Sequence, residues 1–448
     1  MYRVGTAVRD VTPPLHTRLQ GHEARKGVSE KVHDPLFVKA LSLSDGQHRV
    51  LVVSSDLVYF PPAFVAEVKE DAQRELGLKP EQVMLTAAHV HTGPFIFADK
   101  PEEELHLLPD YVKGLRRKII EALREAVEQE EPVTLSWGRA EVDIGVINRR
   151  LMTPYGIEMR PNPAGPVDRE VLVLGARNKA GQLRAVLLNY ACHPTTIGTD
   201  IYQISADFPG AAQSKLEARF PGAVALFVNG CCGDVRPNLV ADGQFRGGNF
   251  EDVDRMGTLL ADAVAEALAK AKPVAEGVVE GRLEAVELPL NRDLMPDTPD
   301  RLEKAAAHHL RRPKRDESVS GAWYTPSDEP AVIEWKAEMA ARLARGEKLQ
   351  ASLPMDVQVF SVGDVRLVGL AGEIMVELGT RIKAVPGFRT LVSSCANGVR
   401  GYVPTAAALP EGGYEAKSFL YEKYPAPFDP TMENMLIERT RKLMSSGA

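Results

Sequence analysis

The chain has 448 residues, 44% of them apolar and 26% charged, with a formal net charge of -7. That balance excludes a general phosphate-backbone binder, which needs clustered Lys and Arg to displace counterions, and it excludes a disordered chain. Eighteen apolar residues never run together and the start, MYRVGTAVRDVTPP, has no apolar h-region, so a cytoplasmic protein without stable membrane association is expected.

In chain order, a short Val- and Leu-rich run recurs, followed at once by polar or small residues and often by a helical pattern. Arg49 to Asp56 predicts a strand and Pro62 to Leu76 a helix; Gln82 to His91 predicts a strand and Tyr111 to Gln129 a helix. Arg184 to His193 and Ala223 to Asp234 predict strands around a helix at Pro209 to Arg219, and a helix follows at Val253 to Lys270. Glu280 to Leu290 and Met355 to Leu370 predict strands, the latter a hairpin turning at Gly363-Asp364. Between them, Asn291 to Ser352 is charged and Pro-punctuated, which predicts an inserted helical cap or arm, long enough for a lid or for a contact between copies in a homo-oligomer. Arg366 to Glu373 and Thr390 to Asn397 predict strands, and Ile374 to Ala384 and Pro430 to Met444 helices. Near-continuous apolar runs suit strands buried on both faces. The expected fold is α/β: one catalytic domain over residues 1–448, with a layered mixed sheet, flanking helices and a site at strand carboxyl ends.

Several polar residues fall at those ends. His89 and His91 stand at i and i+2 in AAHVHTGP, so an unbroken strand would point both rings to one face. His193 closes NYACHP, where Pro194 stiffens the chain. Histidine prefers zinc among common metals, and a catalytic zinc takes three or four protein ligands while keeping a place for water. Asp56, Asp234 and Glu373, at other strand ends, are candidates to complete such a sphere. An HxH alone is equally a pair of satisfied polar residues, so the spacing leaves the ligand set open.

Seven segments in order, VGTAVRDVTPP, AAHVHTGP, VINRR, NYACHP, NGCCGDVRPN, LAGE and ANGVRGYVPT, resemble the successive motifs of the neutral/alkaline ceramidase catalytic domain. The match covers roughly Tyr2 to Lys270 and Val357 to Glu415. The resemblance implies a zinc amidohydrolase whose metal is held by His89, His193, Glu373 and Tyr402, with His91, Arg149 and Tyr414 holding or polarising the substrate carbonyl. Zinc lowers the pKa of bound water from about 15.7 toward about 7, creating a nucleophile for a neutral amide. Zinc and Arg149 would then stabilise the developing oxyanion, and His91 or Tyr414 would protonate the leaving amine.

The resemblance also implies a serine nucleophile in the glycine-rich loop; alignment on Gly233 and Asp234 puts Gly230 there, so the serine is absent. Zinc-activated water is the expected nucleophile, with Cys231 as the alternative and a catalytically silent metal-binding or sensor protein as the third possibility. The vicinal Cys231-Cys232 pair, Cys192 and Cys395 are expected as buried thiols near one cavity, with a disulfide of the pair or a thiolate ligand for zinc as minority alternatives. Secreted ceramidases carry an export signal and a further C-terminal β-domain that are not read here, so a small soluble amide is the expected partner, an ester or lactone remaining open. Asp56, Asp207 and Asp234 are candidates to orient a ligand histidine through its second nitrogen, and His33 and Asp34 to serve beside the site or as structure. His16 and His22 fall near the amino end in a Gly-containing loop, where nothing in their spacing assigns them to the cavity mouth, and His308 and His309 are expected on a solvated face.

Overall fold

A computed structural model describes residues 1–22, 25–96, 108–310 and 329–446. The predicted strands and helices are present, and the main strands form two stacked sheets, a layered mixed arrangement as expected. In the larger sheet the path runs Val224–Asn229, Leu183–Tyr190, Glu170–Asn178, Glu131–Glu141, Tyr2–Asp10, Phe37–Ser44, Arg49–Ser55, Val83–Ala87. It is mixed: each end pair is parallel and the interior is antiparallel. The smaller sheet orders Val279–Pro289, Ser352–Val362, Val365–Leu370, Arg389–Ser393.

Apolar faces explain the stacking. Leu41, Val52, Leu187 and Leu226 of the larger sheet pack on Val279, Phe360, Leu367 and Leu391 of the smaller one. The larger sheet's other face is covered by helices Pro62–Leu76, Leu108–Glu128, Asp207–Arg219 and Phe250–Ala269. The smaller sheet's outer face is covered by Val376–Lys383 and Met432–Ser445. Both faces of each sheet are therefore dry, as the apolar runs require. Strands such as Glu131–Glu141, whose burial alternates, escape that pattern. Helix ends follow local chemistry: Pro62 opens the first helix, and Asn249 accepts from the amides of Glu251 and Asp252 to start Phe250–Ala269.

The larger sheet curls until its end strands touch, and Asn229 Nδ2 donates to Ala88 O at 2.8 Å. The smaller sheet joins there: the amide of Ser394 donates to Asn229 O at 3.0 Å, and that of Ala87 to Cys395 O at 3.2 Å. The carboxyl ends of three strands distant in sequence thus meet at one place. A separate hairpin, Val146–Thr153 and Gly156–Asn162, pairs with Val235–Pro237 and closes one side of it.

The insertion is helical, with Pro299–His309 and Glu329–Ala344 packed around fully buried Trp335; residues 311–328, including Arg311 and Arg312, lie outside the described residues. His308 is exposed, but His309 is only 5% exposed and packs against Trp335 and Phe419, so the solvated-face expectation fails for it. Helix periodicity turns adjacent residues to different faces, which the charged composition around the pair hides. No described helix is long and apolar enough to cross a membrane.

Candidate metal centre

The strand carrying the HxH ends at Ala87, and His89 has φ 73°, a left-handed conformation that non-glycine residues rarely adopt. The expectation of an unbroken strand is therefore corrected: a sharp turn, in place of strand periodicity, aims the rings. His193 lies just beyond Leu183–Tyr190, its amide donating to Val235 O at 3.2 Å. Glu373 and Tyr402 are direct partners on two short parallel strands.

Both buried imidazoles are oriented by backbone carbonyls. His89 Nδ1 donates to Val58 O at 2.8 Å and His193 Nδ1 to Cys232 O at 2.9 Å. A carbonyl can only accept, so in the neutral rings both Nε2 atoms carry lone pairs. Those atoms face each other at 3.0 Å, and Glu373 Oε2 lies 3.2 Å from His89 Nε2 and 3.5 Å from His193 Nε2. Something positive must sit between them. Burial disfavours charge on His89, but Cys395 and Glu373 beside it outweigh burial and hold its pKa well above the ordinary value. At His193 burial and then Arg149 push the pKa well below it.

A divalent cation fits between these three atoms. Tetrahedral ligands about 2.05 Å from zinc stand about 3.3 Å apart, and the three edges here bracket that figure. Glu373 Oε2 is buried and makes no hydrogen bond, which leaves it available to a metal. His89, His91 and His193 also form a group able to hold an ion, their ligand nitrogens within 4.8 Å of one another. Across that longer span His91 stands off the tighter trio, edge-on to both rings at centroid distances of 5.0 and 5.2 Å.

Comparison with known proteins gives the family and the fold. Residues 2–255 match the family model described as neutral/alkaline non-lysosomal ceramidase, N-terminal. The chain belongs to this ceramidase family. Neutral ceramidase from Pseudomonas aeruginosa is 23% identical, with 94% of this chain and 69% of that protein covered. Neutral ceramidase A from Dictyostelium discoideum is 24% identical over 53% of this chain, and the chain spans only 36% of that relative. The crystal structure of the Pseudomonas neutral ceramidase shares the fold at a TM-score of 0.73 and 20% identity, covering 99% of this chain and 74% of that one.

In this member of the ceramidase family, the site lines a cavity of about 430 Å³ with His22, Arg25, Tyr59, His91, Tyr402 and Tyr414 among its walls. Arg149, buried on the hairpin, donates from Nε to Glu415 at 2.8 Å and from its terminal nitrogen to the Tyr402 hydroxyl at 3.1 Å. Burial, then the charge of Glu373, pushes the Tyr402 phenol well above its ordinary value, while Arg149 opposes them. The Tyr414 ring lies 5.3 Å from that of Tyr402. Sequence reasoning missed Glu415, which also pairs with Arg150 at 2.9 Å; the adjacent arginines of VINRR hinted at an acidic partner, but the need for one follows from their burial.

The described cysteines are free and buried. Cys231 packs its sulfur against Gly379 in an apolar cluster with Ile374 and Leu378, outside the residues lining the cavity, and burial pushes its thiol up. Gly230 is tight for a steric reason: an added Cβ would lie 2.7 Å from the Cβ of Ala191. The position is thus a close crossing of strands, and no side chain there would reach the cavity without displacing backbone. Cys395, with φ 53°, is the cysteine beside His89.

The carboxylates expected to orient histidines do not. Asp56 accepts from Phe37 N and Gln213, Asp207 from the amides of Thr196 and Phe208, and Asp234 from Val376 N and Asn148. Each ties loops together, because carbonyls already occupy the Nδ1 atoms. His33 stacks on Phe250 at 3.6 Å and Asp34 accepts from Ser205 at 2.9 Å, both beside a different cavity. His22 lines the site cavity, whereas His16 is exposed and does not.

Proposed function

We propose that this protein is a zinc-dependent hydrolase that cleaves the C–N bond of a small soluble amide, acting in the cytoplasm. The observation that carries it is the pair of opposed Nε2 atoms 3.0 Å apart with the Glu373 carboxylate beside both. His89, His193, Glu373 and Tyr402 hold the metal, which when bound supplies Lewis acidity and makes water a nucleophile near neutrality. Arg149, fixed by Glu415, holds the Tyr402 hydroxyl and presents a fixed positive charge to the carbonyl oxygen as negative charge grows there. We assign to His91 or Tyr414, both on the cavity wall, the delivery of a proton to the departing amine. Water is preferred over Cys231 because that thiol is buried away from the cavity.

The test is elemental analysis of the purified chain followed by assay on matched amides, esters and lactones. About one zinc per chain is expected, with amide turnover that chelation abolishes and zinc restores. Tight zinc without turnover of any substrate would instead mark a metal-binding protein, and unimpaired turnover after complete chelation would remove the metal from the mechanism.

A further inference from the structure

The end strands of the larger sheet, Val83–Ala87 and Val224–Asn229, are not ladder neighbours, although the curl brings them together. Side chains close that seam. Ser54, on the strand beside Val83–Ala87, donates from Oγ to Phe227 O at 2.6 Å. Asn229 donates from Nδ2 to Ala88 O at 2.8 Å, while its Oδ1 faces the amide of Cys192 in a longer contact of 3.5 Å. A carbonyl can only accept and an amide N–H only donate, so these two partners fix which end of the side-chain amide is which. Both partners are immediate chain neighbours of candidate metal ligands: Ala88 precedes His89, and Cys192 precedes His193.

The third ligand is held in the same way at one remove. Asn229 O accepts from the amide of Ser394 at 3.0 Å, and the Ser394 hydroxyl donates to Gly372 O at 2.8 Å and accepts from the amide of Ile374 at 3.1 Å. Gly372 and Ile374 flank Glu373. Asn229 and Ser394 are both 0% exposed, where a hydrogen bond is electrostatically stronger than in water. Two side chains thus reach a residue next to each of His89, His193 and Glu373. The carbonyls of Val58 and Cys232 aim the two rings, but neither joins one ligand's segment to the other's. Spacing between segments matters to a metal, because coordination distances are defined to about 0.2 Å and the three ligand atoms stand 3.0 to 3.5 Å apart.

We propose that Asn229 and Ser394 are positioning residues for the metal centre, a clasp that sets the separation of His89, His193 and Glu373 without touching the ion. The chemistry at each position is specific. Asn229 must give a donor to Ala88 O and an acceptor to Cys192 N from one short side chain; leucine offers neither, and aspartate would turn an oxygen toward the Ala88 carbonyl. Ser394 must donate and accept through one oxygen, which alanine lacks. Ser54 supplies the internal comparison: it is 2% exposed and bonds across the same seam, but its partner Phe227 adjoins no ligand. The clasp rests on the metal-centre reading above, and not on which bond the enzyme cleaves.

Zinc affinity of the full chain, measured by competition with a chromogenic chelator, and the visible absorption of the cobalt(II)-loaded protein read the ligand geometry without turnover. Zinc is expected to bind at least about tenfold more weakly in Asn229→Asp and in Ser394→Ala, with a shifted cobalt spectrum, as loss of outer hydrogen bonds at a metal site does. Ser54→Ala removes the same hydroxyl from the same seam. It is expected to lower the urea midpoint about as much as Ser394→Ala, yet to bind zinc within about twofold of the parent and to keep the parent spectrum. Should Asn229→Asp fail to fold, the two serine variants carry the test, since each removes a single oxygen. Parent-like affinity and spectrum in Ser394→Ala, or equal weakening in Ser54→Ala, overturns the clasp and leaves the metal centre standing. A parent chain that binds neither zinc nor cobalt overturns the metal centre and the clasp together.

Discussion

His89 and His193 face each other through Nε2 atoms 3.0 Å apart, although 104 positions separate them in the chain. Each ring is clamped from behind by a carbonyl, so neither can turn away from the other without giving up a buried hydrogen bond.

Removing the carboxylate from this trio tests whether it is a metal sphere. Glu373→Gln keeps the volume but not the charge, so zinc affinity is expected to fall at least tenfold, and His89→Ala is expected to reduce zinc below one per ten chains. Competition with a chromogenic chelator measures the first and elemental analysis the second. Unchanged affinity in Glu373→Gln would move the carboxylate out of the sphere and favour the three-histidine group.

Glu415 neutralises Arg149 and Arg150 together, each through a bond of 2.8 to 2.9 Å. Glu415→Gln leaves buried Arg149 without an anion and Arg150 with only Glu411, and is expected to cost about 3–5 kcal/mol in urea unfolding. Turnover should fall in any folded fraction, since Arg149 loses the partner that aims it at Tyr402. A loss below 1 kcal/mol would show that the pair is solvated in the working protein.

Cys231→Ala is expected to retain most turnover, and iodoacetamide to leave this thiol unlabelled in the folded chain, because it is packed against Gly379 away from the cavity. Gly230→Ser is expected to destabilise by about 1–3 kcal/mol through the clash with Ala191, without adding activity. Rapid labelling of Cys231 together with inactivation of Cys231→Ala would reverse the choice of nucleophile.

Asp56 is buried, which raises its pKa from 3.8 to about 6. A carboxyl whose folded pKa is raised binds its proton more tightly in the native state, so its contribution is complete below about pH 4 and lost as pH rises to 6. The shift corresponds to ~3 kcal/mol at most. Asp56→Asn removes this drift, so its stability relative to the parent should rise by up to that amount between pH 4 and 7, on top of a constant offset. Parallel curves for variant and parent in chemical denaturation would refute the assignment.

The strand ends carrying His89, His193 and Glu373 were legible because strands buried on both faces must be apolar throughout, and the polar residues that stop them stand out. Antiparallel strands such as Glu131–Glu141 were not legible, since one partly exposed face dilutes the pattern. Likewise, the HxH announced two neighbouring rings but not the left-handed turn at His89 that aims them.

By itself the sequence determined which residues could bind a metal and that they stop at strand ends, since side-chain chemistry and apolar periodicity are local properties. Only the tertiary structure decided which of them meet, that Glu373 Oε2 is left without a hydrogen bond, and that Cys231 is turned into an apolar cluster. Those outcomes depend on how a curled sheet closes on itself, and closure brings together residues whose separation along the chain carries no record of their distance in space.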